Sequence, residues 1–271
     1  MQSTSMRGVA AHHHAAAAVW GQGGRAYDDI SFGLSDALAH AAQRLSAKPD
    51  QEILDVATGT GWSARNVARS GARVAAVDIS AELLSAAKEL SLHVRPPIAF
   101  QLGDTERLPF PDARFDGVIS TFGVIFAQDQ VRAANELGRV CRGGGRLVLA
   151  TWSPDGSVAK FLEVIAKHSK GPAPKVSPLT WGDQRHATDL LGPDFDLMFE
   201  RGVNNAYHPD TEHIWQKYAH GFGPMRQLIS DLRAEQGAAL RADVDAYHRA
   251  YATDAGLHVK REYLLILGKR R

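Results

Sequence analysis

Apolar positions along this chain fall into two periods. From Phe32 to Leu45 small and apolar residues recur at helical spacing (Leu34, Leu38, Ala41, Ala42, Leu45), and Lys48-Pro49-Asp50 ends the pattern. That spacing predicts a helix followed by a turn. The period then shortens: Ile53-Leu54-Asp55-Val56 reads as a strand running into Ala57-Thr58-Gly59-Thr60-Gly61, and Ser63 to Ser70 reads as a helix. Strand, tight glycine turn and helix open a doubly wound sheet. The alternation continues with a strand from Arg73 to Val77 ending at Asp78, and a helix capped by Ser80 and running to about Leu92. A strand from Pro97 to Leu102 ends near Asp104, and another spans Phe115 to Ser120. A helix over Asp129 to Arg142 and a strand over Arg146 to Thr151, after Gly143-Gly144-Gly145, complete the series. Such an α/β alternation predicts a parallel sheet with right-handed crossovers and helices on both faces.

The pattern changes after Trp152. Residues 157 to 169 read as a helix, residues 171 to 178 as a proline-rich linker, and residues 181 to 251 as an aromatic-rich, mostly helical segment. A last strand, Glu262 to Leu267, closes the chain. At the other end, His12, His13 and His14 lead into Ala15 to Ala18, which reads as a frayed entry to a helix. Consecutive histidines do not share a helix face, so a metal site is not expected there.

Composition narrows the class. The 271 residues are 44% hydrophobic and 23% charged, as in an ordinary globular protein. No apolar stretch approaches the roughly 18 to 20 residues needed to cross a bilayer; Leu147–Ala150 and Leu264–Leu267 are short. Thirty-one basic against thirty acidic residues leave a net charge of +1, which provides no bulk field for nucleic acid or an anionic membrane. The single cysteine, Cys141, excludes an internal disulfide and a multi-cysteine metal site. Without a secretory signal, it points to the reducing cytoplasm.

Candidate chemistry lies at the strand ends. Gly59 and Gly61 lack Cβ, so the backbone can turn sharply and a ligand can approach the helix N-terminus. Asp78 is placed to accept both hydroxyls of a ribose, and Asp104 to accept an exocyclic amine of adenine. Singly, Asp55 or Asp104 could cap a helix or turn; in register at successive strand ends, these residues imply an adenosine ligand. The stretch Gly59-Thr-Gly61-Trp-Ser-Ala64 also matches a dinucleotide fingerprint, which leaves an NAD-dependent oxidoreductase as an alternative. Asp55, just before the glycine turn, argues against a pyrophosphate there: each carboxylate–phosphate pair costs about 1 kcal/mol or more. An ammonium and a sulfonium would be attracted instead, which favours S-adenosylmethionine.

The strings Ile53-Leu-Asp-Val-Ala-Thr-Gly-Thr-Gly61, Ala76-Val-Asp78-Ile-Ser80, Gly103-Asp104-Thr-Glu-Arg-Leu-Pro-Phe110 and Phe115-Asp-Gly-Val-Ile-Ser120 resemble the class I S-adenosylmethionine-dependent methyltransferases. They are most similar to the ubiquinone/menaquinone-biosynthesis-type (methyltransferase type 11-like) branch. Glu136-Leu-Gly-Arg-Val140 and Gly143-Gly-Gly-Arg-Leu-Val-Leu149 extend the resemblance, which covers about residues 50 to 152. It implies a doubly wound, mostly parallel seven-stranded sheet of Rossmann-like form with a helical lid insertion. The corresponding division is an N-terminal helical segment (1–48) closing over the cofactor, a cofactor-binding core (49–152), a lid (153–251) and a C-terminal strand segment (252–271). The resemblance further implies Asp55 and the backbone of Ala57, Thr58, Gly59, Thr60 and Gly61 around the methionine part of the cofactor. Asp78 is implied on the ribose, Ile79 on the adenine face, and Asp104 with the Thr105 amide on the adenine edge. Tyr27 would close over the cofactor and Thr121 would border it. Ala57 departs from the pattern, since many members carry glycine there. A protein of this fold that binds its cofactor without catalysis is a third reading.

Methyl transfer from a sulfonium is an in-line displacement that alignment and desolvation can accelerate without a dedicated catalytic residue. Should the acceptor need to lose a proton, the lid offers His208, His213 and His220 with Tyr207 and Tyr218; His186 and His168 are less favoured. The apolar turn after the fourth strand, with Phe122 and Phe126, together with Trp20, suggests a flat or hydrophobic small molecule as acceptor. Trp181, Tyr207, Trp215, Tyr218 and Phe222 would supply the closing face, with Gly221 and Gly223 bounding its moving parts. No metal-ligand cluster or nucleic-acid module is visible. The expected state is a cytoplasmic monomer or homodimer.

Overall fold

A computed structural model describes residues 8–171, 174 and 176–271. The chain start before Gly8 and part of the proline-rich 171–178 linker therefore lie outside the described residues. Three helices come first, α1 (His14–Gly21), α2 (Tyr27–Phe32) and α3 (Ser35–Leu45). The alternating part follows as β1 (Glu52–Val56), α4 (Trp62–Ala68), β2 (Arg73–Asp78), α5 (Ala81–Leu90), β3 (Ala99–Leu102), β4 (Phe115–Thr121), α6 (Gln130–Val140) and β5 (Cys141–Trp152). After it come α7 (Ser157–His168), α8 (Gln184–Leu191), β6 (Phe195–His208), α9 (Thr211–Gly221), α10 (Gly223–Asp231), α11 (Ala234–Arg249), β7 (Ala252–Thr253) and β8 (Gly256–Arg270).

Local chemistry accounts for these boundaries. Ser80 caps α5, its hydroxyl accepting the Leu83 amide at 3.2 Å, and Asp129 caps α6 by accepting the Arg132 amide at 2.9 Å. β1, β2 and β4 are buried along nearly their whole length because helices cover both faces of a parallel sheet. Leu45, Ile53, Leu54, Ile119, Leu147 and Leu149 are fully buried between the layers.

The sheet order is β3-β2-β1-β4-β5-β8-β6, with β7 beside β8. β1 to β5 run parallel, and β8 is antiparallel to both β5 and β6. The order reverses between β1 and β4, so the turns leaving their C-terminal ends open a crevice where doubly wound sheets hold ligands.

The sheet thus has eight strands rather than the seven implied by resemblance, the addition being the two-residue β7. β6 lies within the segment that reads as mostly helical. Among the described residues it is an edge strand paired only with β8, and charged Asp196 and Glu200 on one face with Arg201 on the other hide the strand period.

The remaining helices α7, α9, α10 and α11 form a layer with its own apolar centre of Phe161, Met225, Leu228, Leu240 and Val244. This layer docks on the N-terminal helices by close backbone approach. A Cβ on Gly221 would come within 2.6 Å of the Ala26 carbonyl oxygen, and one on Gly223 would overlap that of Val19. Both glycines, expected to bound the moving parts of the closing face, are buried contact points. Among the described residues no helix is long and apolar enough to cross a membrane.

Candidate active site

The turn after β1 is built on left-handed backbone: Ala57, Gly59 and Gly61 have φ of 56°, 57° and 85°. Glycine takes such angles freely, whereas alanine is strained there. Gly59 also faces Tyr27, whose ring carbon would lie 3.3 Å from a Cβ at that position. The end of β2 fastens the turn. Asp78 accepts the Gly59 amide at 2.8 Å and the Ser80 amide at 2.9 Å, and burial pushes its pKa up against these hydrogen bonds. Tyr27 is likewise raised by burial and by the nearby Asp78, so its hydroxyl keeps its proton.

A cleft opens above this turn. Ala57, Thr58, Gly59, Asp78, Ile79 and Thr105 form one side. Trp20, Tyr27, Thr121, Phe122 and Phe126 lie on its wall as well. Asp55, expected around the methionine part of the cofactor, lies wholly buried beneath the turn and off the cleft wall; its Oδ2 accepts the Thr58 hydroxyl at 2.6 Å, while its Oδ1 has no partner among the described residues. Burial raises the Asp55 pKa to about 7, against the lowering effect of the Thr58 hydrogen bond.

The N-terminal helices are clamped over the cleft. Asp28 on α2 accepts the indole N–H of Trp62 at 2.7 Å and an Arg65 guanidinium N–H at 3.2 Å. His13, only 4% exposed, sits between Asp104 at 2.7 Å and Glu106 at 3.1 Å. Residues 8–13, ahead of α1, are thus an anchored turn, not a frayed end. His12, His13 and Glu106 do come within reach of one another, but each of these nitrogens already meets a carboxylate.

A second cavity adjoins the first. Trp20, Tyr27, Leu34, Phe122 and Phe126 line both. Beyond this common wall the second cavity is bounded by Phe161, Tyr218, Phe222 and Tyr247, with Lys217, His248 and Arg261 as its basic groups. Its wall is aromatic and self-supporting: the Trp20 and Phe126 rings lie 4.9 Å apart, and Phe122 stacks on Trp152 at 3.8 Å.

Comparisons with known proteins agree with this geometry. A family model described as a methyltransferase domain matches residues 54–149. A protein of Mycobacterium tuberculosis is 30% identical over 230 residues, covering 82% of each chain. The demethylmenaquinone methyltransferase of Beutenbergia cavernae is 38% identical over 127 residues, 46% of this chain and 51% of that one. Among solved structures, the YcgJ protein from Bacillus subtilis superposes with a TM-score of 0.61 at 17% identity, covering 87% of this chain and 98% of the other. The chain belongs to the class I S-adenosylmethionine-dependent methyltransferases. The oxidoreductase reading of Gly59-x-Gly61-x-x-Ala64 is thereby set aside.

Within this methyltransferase several residues occupy places other than those expected. Asp104 is wholly buried and absent from the cleft wall, because its carboxylate is taken by the Ala10 amide, His13 and the Glu106 amide. Gly103, Thr105 and His13 form the wall there. Thr60 and Gly61 face inward: the Thr60 hydroxyl points to Ser31 at 3.4 Å, and a Cβ on Gly61 would press on Phe100 at 3.2 Å. His220 lines neither cavity; it is exposed on α9, with Nδ1 bonded to its own helix at the Gln216 carbonyl. His208 is 7% exposed and lines neither cavity; among the described residues neither ring nitrogen has a partner, and burial lowers its pKa to about 3. Of the five aromatics expected to close the site, Tyr218 and Phe222 line the second cavity. Trp181 is fully buried in the main core, Trp215 packs within the helical layer, and Tyr207 is 70% exposed.

Sequence reasoning missed His248. Its Nδ1 lies 2.8 Å from the Val244 carbonyl, which only accepts, so Nδ1 carries the proton and Nε2 keeps its lone pair. Burial lowers its pKa to about 4, and it remains neutral at physiological pH. Only its place at the end of a helix that folds back over β8 distinguishes it from the other histidines, and no local pattern encodes that.

Proposed function

We propose that the first cleft binds S-adenosylmethionine and that the second cavity holds a small apolar or aromatic acceptor, with the methyl group passing at their common wall. The observation that carries the reading is that wall, Trp20, Tyr27, Leu34, Phe122 and Phe126, which belongs to both cavities. The cofactor, when bound, supplies an electrophilic methyl carbon on a sulfonium.

The residues present suit such a ligand. Asp55, wholly buried beneath the turn and on neither cavity wall, would favour an ammonium above it through its charge and not by contact. Asp78 on the cleft wall would take the ribose hydroxyls, Ile79 would cover the adenine face, and the Thr105 backbone would meet its edge. Asp104 would act there indirectly, by fixing the His13 ring. Trp20, Phe122 and Phe126 would hold the acceptor and exclude water. The buried lone thiol of Cys141 accords with a cytoplasmic location.

Hydrogen exchange with and without S-adenosylhomocysteine tests the assignment of the first cleft. Protection is expected at residues 13–31, 57–63, 78–83 and 103–105, the segments that line or clamp it. Protection confined to the α7–α11 layer, or none at all in protein shown to be folded, would overturn the reading.

A further inference from the structure

We propose that the acceptor is an acidic hydroxyl compound, a phenol or enol, whose oxyanion is held by Lys217 and Arg261 and whose proton passes to His248. The proposal rests on the reading of the second cavity as the acceptor site. It starts from an imbalance. Both cations line a predominantly apolar cavity, and among the described residues neither has a carboxylate within the 4.0 Å of an ion pair. Their heads converge: Lys217 Nζ and Arg261 Nη1 lie 3.0 and 3.8 Å from a single point, the place a Cβ on Gly33 would take. The contacts Arg261 does make are long, 3.5 Å to the Gly33 carbonyl and 3.5 Å to the Tyr218 hydroxyl. Two half-buried like charges held together without a counter-ion are costly unless an anion joins them.

A proton acceptor stands at the same cavity. Among the described residues His248 Nε2 makes no hydrogen bond, and the ring is enclosed by Phe161 at 5.3 Å, Tyr247 at 4.8 Å and Tyr218 at 6.1 Å. The charged and titratable groups around it are Arg261 on β8, Tyr218 on α9, Tyr247 and Asp245 on its own helix, and His208 on β6. Asp29 on α2 acts on Lys217 only from a distance. The neutral imidazole takes the acceptor's hydroxyl proton and becomes an imidazolium, and the negative oxygen left behind offsets its charge beside Arg261. The acceptor oxygen then forms a bond to the methyl carbon as the carbon–sulfur bond breaks. That bond's electron pair stays on sulfur, so a sulfonium becomes a neutral thioether.

Titration with 4-nitrophenol tests this without turnover, because its phenolate is coloured and its phenol is not. The full chain is saturated with S-adenosylhomocysteine and buffered below the solution pKa of the phenol. Wild type should develop the phenolate band saturably. Lys217→Met should weaken the apparent affinity by about tenfold or more, the scale of a hydrogen bond to a charged group. His248→Gln should bind the phenol without the band at that pH. Arg261→Met repeats the test from the other cation. No band at millimolar nitrophenol, or a band untouched by Lys217→Met, overturns the proposal. S-adenosylhomocysteine binding in the same samples separates this failure from failure of the methyltransferase site itself.

Discussion

Asp78 and Gly59 are joined by a 2.8 Å hydrogen bond in which the carboxylate at the end of β2 accepts the amide of the turn after β1. One side chain therefore shapes the turn and faces the cleft the turn creates. Asp78→Ala should weaken S-adenosylhomocysteine binding by about 1.5 to 3 kcal/mol, the range for hydrogen bonds to a charged group. It should also lower stability, since the amides of Gly59 and Ser80 lose their acceptor. Asp78→Asn keeps one acceptor oxygen and should fall between. Calorimetric titration paired with urea unfolding separates the two effects.

Asp55 makes the unliganded protein sensitive to pH. Its ordinary pKa of 3.8 is raised to about 7 in the folded chain by burial. Below the ordinary value both folded and unfolded chains hold the proton; between there and about 7 only the folded chain does. The stabilising contribution is therefore complete at low pH and lost as pH rises through this window. Asp55→Asn should flatten the decline and stabilise the unliganded protein near pH 8 by about 1 to 3 kcal/mol. Ligand binding near pH 6 should release up to about one proton as an incoming ammonium re-ionises the carboxylate. Titrations in buffers of different ionisation heat read that proton directly.

His208 contributes in the opposite direction. Its pKa falls from 6.5 to about 3 on folding, so between these values only the unfolded chain is protonated and stability is lost as pH falls. His208→Phe removes two unpartnered buried nitrogens and should raise stability near pH 5 by about 1 to 2 kcal/mol. A denaturation midpoint at pH 5 no higher than wild type would show that the ring is hydrogen-bonded in solution.

The parallel core was legible because it is written locally. Ile53 to Val56, Arg73 to Asp78 and Phe115 to Thr121 are apolar runs bounded by turn residues, and Ser80 and Asp129 cap helices within their own sequence. The glycine turn and Asp78 followed from the same register. What escaped was set by distant packing. Asp104 at a strand end pairs with His13, 91 residues away, so its role as a clamp has no local signature. β6 alternates weakly because it is an edge, and His248 reaches the cavity only through the fold of the helical layer.

Gly223 tests the docking of that layer. A Cβ there would overlap the Val19 carbonyl and lie 3.0 Å from that of Trp20. Gly223→Ala should destabilise the protein by about 1 to 3 kcal/mol, the usual cost of overpacking. Exchange protection in α1 and α10 should fall while that in β1 and β4 is retained. Equal loss in all four elements would mean that the layer and the sheet unfold as one unit.

Calorimetric titration of the wild-type chain with S-adenosylhomocysteine reads directly whether the cleft above residues 57–61 binds the methyl donor. Saturable one-to-one binding is expected, weakened by about tenfold or more in Asp78→Ala. Absence of binding at millimolar ligand in folded protein, or binding that Asp78→Ala leaves unchanged, would contradict it.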